Sequence, residues 1–210
     1  MGEELPSSHR RNEGAWSNCL AKVDKLNLIK IESMWKDLLS EIGDDPSREG
    51  LIRTPYRIAK AWWELFSGYR DKPPKITTFK EQCKGLIIDR GYFFSFCEHH
   101  VLPFFGDYYF GYIPRNNMII GASKIGRTID HFSARLQVAE RICCQVADYI
   151  DSEADTNGII LIMTGRHLCK EMRGIKKYDS IFEASEARGC FLKNTNGCKD
   201  EFLLRINSKL

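Results

Sequence analysis

No stretch of about 18 or more consecutive apolar residues occurs in the 210-residue sequence, so no segment reads as a helix that crosses a bilayer. The opening residues, MGEELPSSHRRNEG, lack the apolar centre of a secretory leader. Met1-Gly2 does not read as a myristoylation signal, because Pro6 stands where Ser or Thr is required. Charge of one sign is also scarce: 31 Lys and Arg against 28 Asp and Glu leave a formal net charge of +3. So small an excess does not demand a nucleic acid or a membrane surface, and neither is expected as a partner; a few clustered cations could still serve a small anion. Internal repeats and low-complexity tracts are absent. With 43% hydrophobic and 28% charged residues, the composition excludes a disordered or collagen-like chain and fits a globular core.

Cysteine is plentiful, with eight residues at 19, 83, 97, 143, 144, 169, 190 and 198. A disulfide framework is not the expectation, since the chain is long, shows no leader and has Cys143 and Cys144 adjacent. A reducing, cytoplasmic setting is expected, with most of these thiols acting as small hydrophobes.

The organisation reads in three parts. Residues 1–24 form a flexible polar arm, 25–83 an N-terminal helical region and 84–210 the catalytic region. The apolar spacing predicts a helix over 26–42 stopped by Gly43, and a second opened by Thr54 as cap with Pro55 in its first turn. Residues 71–83 read as a loop. GLIID, YFFSFC and DYYFGYIP read as short strands, followed by helices over 123–137 and 138–154. GIILIMTGRHLC reads as a strand of almost continuous apolar character, with 179–191 as its hairpin partner and a closing helix over 196–206. Strands, two helices, strands and a helix in that order predict an α+β fold on an antiparallel sheet.

Four clusters carry chemistry. Cys97 and His100 are three apart in Phe96-Cys97-Glu98-His99-His100 at a strand end, and Arg166-His167-Leu168-Cys169 follows another strand. Thiolates and imidazole are ligands zinc prefers, and Cys97, His100 and Cys169 make three ligands with a fourth position open, the count of a catalytic site. Two other readings stay open: that the thiols are buried hydrophobes, or that Cys190 completes a closed structural site. His99 and His167 remain beside these ligands, suited either to proton transfer or to orienting the site.

Ser123, Lys124 and Arg127 lie in GASKIGR at a helix start, where backbone N–H groups meet anions. Arg57 with Lys60, and Arg173 just past Cys169, add further cations. Each alone reads as well as a solvated face. Taken with a metal site, they point to a phosphorylated substrate. Glu140 stands near a helix start as a dipole partner or as an acceptor for a purine edge.

FFSFCEHHVLPFFGDYYFGYIP, IIGASKIGRTIDHFSARLQVAER and HLCKEMRG, with weaker pieces RTPYRIAK, GCF and DEFL, resemble the GTP cyclohydrolase I family over roughly residues 26–206. The resemblance implies a tunnelling fold, an antiparallel sheet with two helices packed on one face, and subunits joined in stacked rings, usually a decamer, with active sites between subunits. It implies Zn2+ on Cys97, His100 and Cys169, and hydrolysis of GTP at C8 of guanine with loss of formate to give 7,8-dihydroneopterin triphosphate, a step toward pteridines or tetrahydrofolate. It implies proton transfer by His99 and His167, ribose opening by Ser123, and triphosphate binding by Lys124, Arg127 and Arg173 with Arg57 and Lys60 of a neighbouring subunit. Glu140 is implied to take the guanine N1–H and 2-amino group.

The chain departs from the family pattern Q-V-Q-E-R by placing Ala139 in Gln137-Val138-Ala139-Glu140-Arg141, which removes an amide near the purine. The strand after MRG also carries Glu183 and Glu186, unwelcome to a triphosphate if either faces it. A same-fold purine-nucleotide cyclohydrolase of altered substrate choice, or a lapsed regulatory paralogue, are therefore the rival expectations. A zinc deaminase is a weaker rival, since its H-x-E and P-C-x-x-C pattern is missing.

Overall fold

The computed structural model describes residues 28–208, so the expected polar arm and Cys19 lie outside the described residues. The chain divides into two compact units, one ending at Asp71 and the other spanning Lys72–Leu210.

The first unit is a helix pair, α1 (Leu28–Glu41) and α2 (Thr54–Leu65). Their contact is aromatic: Trp35 and Trp62 meet edge to face with centroids 5.6 Å apart, and Trp62 meets Phe66 at 5.5 Å. Gly43, at φ +94°, takes the left-handed conformation that stops α1, as the sequence predicts. Thr54 does not cap α2. Arg53 holds the cap position without a side-chain bond, while the Thr54 hydroxyl donates back to the Gly50 carbonyl at 3.4 Å. Pro55 sits in the first turn, where its missing N–H costs nothing.

The second unit is built on a sheet of order β5-β2-β3-β6-β7. The strands are β2 (Ile87–Cys97), β3 (Pro103–Pro114), β5 (Leu136–Gln137), β6 (Thr156–His167) and β7 (Ile181–Gly189). All pairings are antiparallel except β5 with β2. A small separate ladder joins β1 (Thr78–Lys80), within the segment that reads as a loop, to β4 (Met118–Ile120). The helices are α3 (Ala122–Ser133), α4 (Ala139–Glu153), the single turn α5 (Leu168–Glu171) and α6 (Cys198–Asn207).

Side-chain alternation sorts the core. Phe93, Phe104, Phe110, Ile159, Leu161 and Met163 face α3 and α4, joining Ile125, Ile129, Ile142, Val146 and Ile150 in the main cluster. Ile160 and Ile162 face the other way, toward Phe191 and Phe202 of the α6 region. β6 is thus covered on both faces near its middle, which explains its unbroken apolar run. The expected two helices on one face are present, and α6 adds a third on the opposite face.

Two expected strands, GLIID and YFFSFC, are one. β2 runs straight through Gly91, because the Tyr108 ring lies 2.6 Å from where a Cβ would stand. The glycine makes room for a neighbour's ring instead of a turn. The helix expected over 123–137 ends at Ser133, where the Ser95 hydroxyl donates to the Ser133 carbonyl at 2.8 Å. The residues beyond it become β5 and pair with Phe96 and Cys97.

Candidate metal centre and its surroundings

β2 delivers Cys97 at its end, 5% exposed and in the main core cluster. A tight turn follows: the Val101 and His100 N–H groups donate to the Cys97 carbonyl at 2.8 and 3.4 Å, and the Cys97 N–H to Leu102 at 2.9 Å. Val101 closes this turn at φ +55°, an uncommon and strained conformation for a β-branched residue. β6 ends at His167, and the single turn α5 then swings Cys169 toward Cys97. The expected strand through Cys169 therefore stops two residues short of it.

The result is one cluster. Single ligand atoms of Cys97, His100 and Cys169 all lie within 4.8 Å of one another, with Cys97 Sγ 3.9 Å from His100 Nδ1. An ion about 2.0–2.3 Å from each donor fits that triangle, and two thiols with an imidazole suit a borderline-soft divalent metal. Burial first, and then the Cys97 thiol, push the Cys169 thiol above its ordinary pKa, so a metal that binds there must displace a proton the thiol otherwise keeps. Cys190 is elsewhere, packed against the Ile160–Phe202 cluster on the opposite sheet face, and does not complete this site.

The two other histidines flank the cluster. His99 is exposed, with Nδ1 3.6 Å from Cys97 Sγ and Nε2 3.8 Å from Glu98. His167 is half-buried, stacked on Phe104 with centroids 4.5 Å apart and edge-on to Phe182 at 5.2 Å. Burial holds its pKa below the usual imidazole value, and the negative charge of Glu140 works against that shift. Glu140, exposed in the first turn of α4, is therefore within electrostatic reach of His167. Arg173 Nη1 lies 2.7 Å from His100 Nε2.

Three other expected residues of the same unit are not gathered here. Ser123, Lys124 and Arg127 open α3, beside β4 and Thr77, where Gly121 N–H donates to the Thr77 carbonyl. The other end of α3, at Ser133, is the end tied to Ser95 near Cys97. Ten residues of helix at 1.5 Å each separate the two ends by roughly 15 Å. The start of α3 thus lies away from the cluster of its own chain. Arg57 and Lys60 are exposed on α2 in the other unit, with Lys60 Nζ 5.7 Å from the Tyr56 ring centre.

The departures at 139 and 183 resolve differently from the expectation, while Glu186 lies on the Phe182 and Ala184 side of β7. Ala139 is 3% exposed and packs in the main core, while its neighbour Glu140 faces solvent. Glu186 is ion-paired with Arg188 at 2.6 Å. Glu183 alternates with Phe182 and Ala184, which pack on the cluster's side, and so faces the other way.

The sequence missed one part of the site. Gln137 on β5 accepts the Glu98 N–H at 3.0 Å, and its buried side chain donates to Phe132 O at 2.9 Å and Gln145 Oε1 at 2.8 Å. Nothing in a two-residue strand signals this in advance.

The family model described as GTP cyclohydrolase I matches residues 31–207. The chain belongs to the GTP cyclohydrolase I family. Curated relatives agree. A GTP cyclohydrolase 1 of Porphyromonas gingivalis (strain ATCC 33277) is 40% identical over 184 residues, 86% of this chain and 94% of that one. One of Campylobacter jejuni subsp. doylei is 42% identical over 183 residues, 85% and 95% of the two chains. One of Bacillus cytotoxicus is 38% identical over 188 residues, 88% and 99%. The solved structure of apo archaeosine synthase QueF-Like covers 50% of this chain and 94% of its own at 12% identity and TM-score 0.41, a likeness too loose to add to the family assignment. Among the described residues, no helix is long and apolar enough to cross a membrane.

Proposed function

We propose that this member of the GTP cyclohydrolase I family is an enzyme that hydrolyses the imidazole ring of guanine in GTP, releasing formate and forming 7,8-dihydroneopterin triphosphate. Family membership over most of the chain supports the reaction. The observation that carries it to these residues is the convergence of Cys97, His100 and Cys169, with His99 Nδ1 3.6 Å from Cys97 Sγ and His167 two residues before Cys169.

Cys97, His100 and Cys169 would hold zinc. When bound, zinc supplies a Lewis acid that makes water nucleophilic near neutral pH. Glu140 orients the base by accepting the guanine N1–H and 2-amino group, a pair of donors adenine does not present. Release of C8 as formate breaks two C–N bonds and uses two waters, so each freed nitrogen must gain a proton and each attacking water must lose one. His99 and His167 carry those protons. Arg173 would take a phosphate oxygen, and its position 2.7 Å from His100 Nε2 supports that role.

Lys124, Arg127 and Ser123 act on GTP held at a neighbouring copy's cluster, joined by Arg57 and Lys60 of another subunit; their distance from the cluster of their own chain supports this reading. On the family resemblance, the protein works as a homo-oligomer, a decamer of two stacked rings, in the cytoplasm. Mixing tests the shared site. Chains with Cys169→Ala and chains with Lys124→Ala, each inactive alone, should regain formate release when co-refolded, because some sites then receive an intact cluster and an intact α3. No recovery in mixed oligomers means that both residues serve the site of one chain.

The rivals lose their motives. The inward methyl of Ala139 leaves Glu140 free to read guanine, and a lapsed paralogue has no reason to keep His99, His167 and Ser123 together. Glu140→Ala should lower kcat/KM for GTP by roughly 10- to 100-fold, the cost of leaving two base donors unpaired, about 1–3 kcal/mol. Zinc content and thermal midpoint should hold. Formate release from GTP by zinc-loaded wild type tests the reaction itself. Unchanged GTP kinetics in Glu140→Ala would remove Glu140 from the base pocket.

A further inference from the structure

The segment bearing His99 and His100 and the segment bearing Glu140 are about forty residues apart in sequence, yet one side-chain pair ties them together. Arg141 Nη2 donates to Glu98 Oε1 at 3.1 Å and Nη1 donates to Glu98 Oε2, a two-pronged guanidinium–carboxylate contact. Glu98 lies between Cys97 and His99, and Arg141 directly follows Glu140. Both side chains are about one-third exposed, at 32% and 29%. The surroundings stiffen the pair: Glu98 N–H donates to the Gln137 carbonyl, and Arg141 Nη1 also approaches Gln137 Oε1 at 3.4 Å. Gln137 is itself buried and bonded on its other side to Phe132 and Gln145.

We propose that Glu98 and Arg141 are positioning residues that fix the metal-bearing turn against the start of α4, and so set where Glu140 meets guanine relative to the reacting C8. This rests on the reading of Glu140 given above. A rigid two-bond fork holds angle as well as distance, which a single bond or a diffuse charge does not. The separation between the base-reading carboxylate and the metal ligands must match that between the pyrimidine edge of guanine and C8. Misplacement by about 1 Å costs up to roughly 100-fold in turnover.

The test compares GTP with inosine triphosphate, which lacks only the 2-amino group that Glu140 accepts. Wild type should prefer GTP, and Glu140→Ala should lose most of that preference. Glu98→Gln and Arg141→Gln should each keep about one zinc per chain and a near-native thermal midpoint. Each should lower the GTP-over-inosine preference in kcat/KM by roughly tenfold or more. The double variant should be no worse than either single one, because the two act as a unit. If either Gln variant fails to fold, Arg141→Lys gives the same comparison, keeping the charge and losing the fork. A merely structural pair would slow both nucleotides equally, and that outcome, or additive losses, overturns the proposal. Wild type that releases no formate from GTP overturns the reaction instead. A preference that survives Glu140→Ala overturns the base-reading role, and this proposal with it.

Discussion

Cys169→Ala is expected to yield protein with almost no bound zinc and no measurable formate release, while folding as wild type does. Three ligands are the minimum for a catalytic site, and the loss of one leaves a thiol and an imidazole that compete poorly for the ion. The fold should survive, because Cys169 sits on a single turn after β6, only partly buried, outside the sheet pairings that hold the unit together. Cys97→Ala should lose the metal as completely but also cost stability, since Cys97 is 5% exposed in the main core. His100→Ala should resemble Cys169→Ala, as His100 is exposed. Metal analysis of the purified variants, beside a thermal melt, separates ligand loss from unfolding. Full zinc occupancy in Cys169→Ala would sink the ligand assignment.

The grouping of Cys97, His100 and Cys169 is legible in the sequence because its chemistry is local. Cys97 and His100 are three apart at a strand end, and the strand ending in His167 brings the second thiol with a histidine two residues before it. What could not be read was how the pieces meet. Cys169 reaches the cluster on a helical turn, because the chain must leave the sheet plane after His167 to turn a thiol inward. The two-residue β5 and the three-residue β1 and β4 carry no period, and each exists only through its partner. Gly91 reads as a break, yet marks the place where the Tyr108 ring crosses β2.

The cations show the same limit more sharply. Lys124 and Arg127 share a helix face, as their spacing requires, and the sequence groups them with the metal. The fold sets Lys124 in the first turn of α3, at the end away from the cluster of its own chain, and Arg127 near the middle of that helix. Periodicity specifies which residues share a face; it does not specify which end of an element meets which. For a site assembled between copies, a single sequence reports the parts and not their owners. Arg141 with Glu98 is the converse case: two unremarked charges, distant in sequence, that the fold makes into a brace.

His99→Ala and His167→Ala are expected to retain zinc and to slow turnover by roughly 10²–10⁴, the range for positioned acid–base groups. The two should differ in their side effects. His167 is stacked on Phe104 and edge-on to Phe182, so its removal opens a gap between β3, β6 and β7. Some loss of thermal stability should accompany the lost rate. His99 is largely exposed, and its loss should leave the melt unchanged. His167→Phe should refill the stacked position and restore stability without restoring turnover, which separates the ring's packing from its nitrogens. His99 also lies 3.6 Å from Cys97 Sγ, as close as the proposed ligand His100. Zinc content is therefore the decisive readout. If His99→Ala loses zinc and His100→Ala keeps it, the two adjacent histidines exchange roles. If both His99→Ala and His167→Ala lose zinc, these imidazoles hold the metal and the proton carriers lie elsewhere.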